Sequence, residues 1–131
     1  MKQLTFLPRF AGKVISGGRF HTIRERDAPI EVGDVLEFVD DERGPIGRGR
    51  CIGKSTILLA LERAIFAEGR PSAQLFPIIG ECRDVDALEA FAKADGFTSY
   101  RDLTDWIKQR YGRLPFAGVV LVCEVNERQS P

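Results

Sequence analysis

A chain of 131 residues, 44% hydrophobic and 29% charged, has the length and composition of one soluble globular domain with a real core. Nineteen lysines and arginines balance nineteen acids, which argues against a histone-like or tail-driven nucleic-acid binder and leaves room for a local basic groove. The longest uncharged apolar runs fall far short of a membrane span, and Met1-Lys2 opens on a mixed stretch with no signal-peptide core, so a cytoplasmic protein without membrane attachment is expected.

Residues 2–7 alternate as a short strand, stopped by Pro8, which lacks an amide proton and suits the first turn of a helix. Phe10, Val14 and Ile15 form a narrow apolar stripe on a helix running to about Ser16, and Gly17-Gly18 ends it. Residues 20–24 read as extended, with Phe20, Thr22 and Arg24 on one face and His21 and Ile23 on the other. From Arg9 to Arg26 run the basic residues Arg9, Lys13, Arg19, Arg24 and Arg26, opposed by Glu25 alone, which makes this the most basic window of the chain.

Asp27-Ala28-Pro29 is turn chemistry, Gly33-Asp34 announces a strand over 35–39, and residues 40–45 read as a solvated hairpin tip. Residues 48–61 predict one or two strands; residues 62–69 suit a helical turn or more strand, and Arg70-Pro71-Ser72 is a break. A strand follows over 75–82, with Pro77 marking an edge or bulge. Asp84 is a suitable N-cap for a helix whose inner face is Val85, Leu88, Phe91 and Ala92, closed at Asp95-Gly96. Thr98 or Ser99 caps a second helix with inner face Leu103, Trp106, Ile107 and Tyr111; Gly112 ends it and Pro115 prevents its resumption. Residues 116–125 are the most hydrophobic run and predict a central strand, with a frayed tail over 125–131. Mixed elements without strict alternation predict a single α+β domain over 1–131, a curled antiparallel sheet or small barrel with helices at one side.

Cys51, Cys82 and Cys123 are too few and too widely spaced for a disulfide framework. With a single histidine and no close ligand pair, no metal site is expected. Gly53-Lys54-Ser55 is not a phosphate loop, because Arg48 stands where the first glycine belongs. Residues 15–24 concentrate more chemistry: two glycines, Arg19, Arg24, the hydroxyl of Thr22 and the only histidine, His21. A hydroxyl beside a fixed positive charge suits an anionic or carbonyl-bearing ligand. His21, facing away from Thr22, is poorly placed to deprotonate it.

Ser16-Gly17-Gly18-Arg19-Phe20-His21-Thr22-Ile23-Arg24 resembles the glycine, lysine, threonine, arginine signature of ASCH domains, which belong to the PUA-like barrels. The Gly33-Asp34-Val35-Leu36 entry, the Asp95-Gly96-Phe97 junction and a closing strand bearing Glu124 extend the resemblance over about residues 4–125. It implies a small PUA-like β-barrel with flanking helices, RNA or a nucleoside or nucleotide as partner, and no cofactor. Some bacterial members of the family hydrolyse acetylcytidine with a lysine, a threonine and a glutamate. On this chain the threonine falls on Thr22, the glutamate's place near Asp95, and the lysine's place on Arg19. Arginine stays protonated, so Arg19 can stabilise an oxyanion but cannot take a proton unless His21, Asp95 or Glu124 substitutes. The resemblance therefore implies first a binding protein, its ligand held by Arg19, His21, Thr22, Arg24 and Glu124. Amidohydrolysis through Thr22, Arg19 and Asp95 is the alternative.

Overall fold

The computed structural model describes residues 1–16, 18–67 and 78–128. Their order is β1 (Lys2–Phe6), α1 (Pro8–Ser16), β2 (Arg19–Glu25), β3 (Val35–Asp40), β4 (Gly44–Leu59), β5 (Ala64–Phe66), β6 (Gly80–Cys82), α2 (Val85–Ala94), α3 (Tyr100–Tyr111) and β7 (Phe116–Arg128). The architecture is α+β, one seven-stranded sheet with three helices.

The long strand β4 is the spine. One edge pairs with β7 along its length; the other carries β3 on its first half and β5 on its last three residues. Beyond β7 lies β2, antiparallel, and beyond β5 lies β6. The sheet is mixed rather than antiparallel throughout, because β1 runs parallel to β3. That follows from the connection: α1 and β2 intervene, and a parallel pair needs such a crossover. Register shifts at Arg48/Gly49 and Cys51/Gly53 bend β4 and curl the sheet. Phe6, Phe20 and Phe38, from β1, β2 and β3, consequently meet edge to face, with centroids 5.3–6.3 Å apart. No pairing joins β2 to β1 among the described residues, so the strands do not close on themselves there.

Local chemistry sets the helix boundaries. The Asp84 carboxylate accepts from the Asp86 amide at 3.0 Å, and the Ser99 hydroxyl from the Asp102 amide at 2.9 Å. After the Asp95 cap, Gly96 takes φ +102°, and a Cβ there would also press on the Phe10 ring at 3.0 Å. Leu88, Phe91, Ala92, Leu103 and Ile107 are buried, whereas Val85, at the first turn of α2, is exposed and leaves the inner face expected for it. The Tyr100 hydroxyl donates toward the carbonyls of Ala60 and Arg63, tying the start of α3 to the β4–β5 turn.

Several expectations are corrected. Of residues 62–67, Ala64–Phe66 form the short strand β5, and of the described part of the strand expected over 75–82, residues 78–82, Gly80–Cys82 form β6; residues 68–77, with Pro77 and the Arg70-Pro71-Ser72 break, lie outside the described residues, as does Gly17. The stretch read as one or two strands over 48–61 is one strand, which begins earlier, at Gly44, and ends at Leu59. The tail is paired as far as Arg128, since Glu127 and Arg128 stand opposite Arg48 and Gly47. Cys51, Cys82 and Cys123 are buried free thiols. No helix among the described residues is long and apolar enough to cross a membrane.

Candidate functional site

Where the end of β1, α1, β2 and the α2–α3 junction meet, a cleft of about 70 Å³ opens, lined by Lys13, Thr22, Arg24, Asp95, Trp106 and Tyr111 over Phe6, Phe10 and Phe97. A water needs about 10–15 Å³ by this measure, so the cleft takes a small planar group or a few waters and not a whole nucleotide.

Strand alternation puts Thr22 and Arg24 on one face of β2, and Arg24 Nε donates to Thr22 Oγ1 at 3.4 Å. That leaves the hydroxyl proton free to turn toward a ligand. The guanidinium lies 4.8 Å from the centre of the Phe6 ring. Burial pushes the Arg24 guanidinium below its usual range, and no carboxylate stands within salt-bridge distance of it among the described residues. A desolvated cation in that position favours an anionic or carbonyl group arriving from outside.

Lys13 comes from α1. Its Nζ donates to the carbonyls of His21 and Asp95, both at 2.9 Å, and stands 3.6 Å from Asp95 Oδ1. Burial pushes its pKa below the usual lysine value, the nearby Asp95 carboxylate opposes this, and the Arg24 charge reinforces it. The geometry suits either protonation state: a neutral amine has two N–H groups, both engaged by the carbonyls, and keeps one lone pair. Asp95, the C-cap of α2, also accepts from His21 Nδ1 at 2.7 Å, and the imidazole stacks on Phe91 at 5.0 Å. Lys13, Asp95 and His21 thus form one buried polar chain linking α1, β2 and α2.

The structure brings Thr22, Arg24 and Asp95 together. His21 lies behind the cleft wall, buried against α2, and touches the lining through its ring to Asp95 and its carbonyl to Lys13. Arg19 is exposed at the start of β2, opposite Glu124 of β7, and neither residue lines the cleft. Both were expected in the site and neither reaches it: strand alternation puts Arg19 on the face of β2 opposite the one that Thr22 and Arg24 share.

Lys13, Trp106 and Tyr111 enter the site unforeseen. Trp106 and Tyr111 were expected in the core, but they sit half-buried at its margin, Tyr111 stacked on Phe116 at 4.6 Å. For Lys13 a signal existed. It follows Phe10 by three residues, which sets it at the edge of the apolar stripe of α1. Comparison of the chain with protein-family models, curated proteins and solved structures finds no match.

Proposed function

We propose that this is an ASCH-type domain of PUA-like architecture that binds a nucleobase, as nucleoside, nucleotide or RNA, with the edge of the base in the cleft. The observation that carries this reading is the pairing of Thr22 with the half-buried Arg24 at the mouth of a small aromatic-walled hollow. A base edge offers carbonyl oxygens to the guanidinium and a donor or acceptor to the hydroxyl, while Trp106 and Tyr111 offer faces for stacking. Trp106 is the only tryptophan, so its fluorescence reports occupancy. Titration with ribonucleosides is expected to change it saturably. Arg24→Ala is expected to weaken binding by about tenfold or more, the worth of a charged hydrogen bond, without changing the unfolding midpoint. Equal affinity in the variant, or no response from the wild type at millimolar ligand, overturns the reading.

A second reading, amidohydrolysis of an acylated nucleoside such as acetylcytidine, is favoured by Lys13. The weakness of Arg19 as a proton acceptor matters less once an amine with a lowered pKa stands in the same cleft. Thr22 Oγ1 would attack the acyl carbon, passing its proton to Lys13, with Arg24 facing the oxyanion. Breaking the C–N bond would return that proton to the departing amine, and water would then hydrolyse the acyl-threonine. Lys13→Met is expected to abolish cytidine release and also to alter the pH profile of stability. Above its lowered pKa and below the ordinary 10.5, Lys13 binds its proton only in the unfolded chain, so it makes stability rise with pH. Tyr100 and Tyr111, whose phenols are raised by burial, work the other way above pH 10. The difference between wild type and Lys13→Met below that pH isolates the lysine. No turnover by the wild type at high enzyme concentration dismisses hydrolysis and leaves the binding reading standing.

A further inference from the structure

Just outside the cleft lies a second, open hollow of about 640 Å³. Arg110 and Tyr111 line both spaces, so the two adjoin. The outer one adds Arg26, the residue after β2, and Arg113, the residue after the left-handed cap at Gly112 (φ 86°). Its acidic members are Glu25 and Asp27. None of Arg26, Arg110 and Arg113 has an acidic partner at salt-bridge distance among the described residues, despite Glu25 and Asp27 nearby. Elsewhere among the described residues Arg19, Arg43 and Arg50, none of which lines either hollow, also lack an acidic partner, while Arg9 pairs with Asp102, Arg48 with Glu37 and Arg101 with Asp105, and Arg63 and Arg83 share Glu81. In a chain with no net charge, unneutralised guanidinium groups gather beside the one cleft that also holds Arg24.

We propose that the ligand is phosphorylated, its phosphate held by Arg26, Arg110 and Arg113 in the outer hollow while the base edge occupies the inner cleft. This rests on the nucleobase reading of the cleft and narrows it from nucleosides to nucleotides. The volumes divide the ligand accordingly. The inner space admits only a planar edge, and the outer one has room for a sugar and its phosphate. Guanidinium groups with free donors match phosphate oxygens in geometry and charge. The phosphate is either a terminal monoester or one link of a polynucleotide.

Trp106 fluorescence is followed while the wild type is titrated with the four ribonucleosides, their 5′-monophosphates, mixed trinucleotides and inorganic phosphate. The monophosphates are expected to bind about tenfold more tightly than the nucleosides, with the advantage shrinking as salt rises. The double variant Arg26→Ala/Arg113→Ala is expected to lose that advantage and to bind nucleosides as the wild type does. Trinucleotides binding more tightly than monophosphates assign the site to a polynucleotide; equal binding assigns it to a terminal phosphate. Nucleosides and monophosphates binding equally would overturn the phosphate site and leave the base cleft intact. So would an advantage that survives in the double variant. No binding of any of them would overturn both.

Discussion

Asp95→Ala is expected to lower the unfolding free energy by about 3–5 kcal/mol, the usual cost of removing one partner from a buried ion pair. For a chain of this length that means a fall in Tm of about 10 °C or more. Asp95 is 3% exposed and serves two groups at once, accepting from His21 Nδ1 and facing Lys13 Nζ at 3.6 Å. Alanine leaves the imidazole without that acceptor and Lys13 without its countercharge. Asp95→Asn separates shape from charge, since its side-chain oxygen still accepts from His21. It is expected to keep most of the stability while pushing the Lys13 pKa down further, because the carboxylate that raises it is gone. Thermal unfolding of the two variants across pH checks this. An alanine variant as stable as the wild type would mean that the buried polar chain holds nothing together.

Gly49→Ala is expected to be at least as damaging. A Cβ at position 49 would land on the carbonyl oxygen of Glu124 and lie 3.0 Å from the Phe38 ring. Overpacking among yielding side chains costs about 1–3 kcal/mol. Here the obstacle is the backbone of β7, so the loss is expected to exceed about 3 kcal/mol, or the chain is expected not to fold. The close approach sits at the register shift between β4 and β7, and β7 in turn positions β2 with Thr22 and Arg24. Gly12→Ala is the control. It lies exposed in α1 with open space around it, and alanine there is expected to add about 0.5–1 kcal/mol. Urea titration of both variants distinguishes the outcomes, and a Gly49→Ala protein of normal stability would refute the β4–β7 register.

Features governed by neighbouring residues were legible in the sequence. Pro8 opening α1, Asp84 and Ser99 as caps, Gly96 and Gly112 as closures, and 116–125 as a central strand all rest on rules spanning a few positions. What escaped was set at a distance. Residues 44–47, rich in glycine and proline, carry little strand signal, yet they extend β4 because β3 pairs along them. The polar Glu127 and Arg128 likewise remain in a strand because β4 pairs along them. In the candidate site, Thr22, Arg24 and Asp95 came from a motif and a helix end, both readable locally. Lys13 did not, because a lone lysine on a short helix ordinarily marks the solvent side. Only the packing of Asp95 and β2 against α1 reverses that.

The phenol of Tyr100 fastens the first turn of α3 to the far hairpin of the sheet, and burial keeps that phenol protonated well past neutrality. The same helix supplies Trp106, Arg110 and Tyr111 at its other end. One wall of the receptacle is thus braced at both extremities before any guest arrives. On the proposed binding reading, a guest would lose little affinity to organising its host, and its residence time would reflect the contacts it makes.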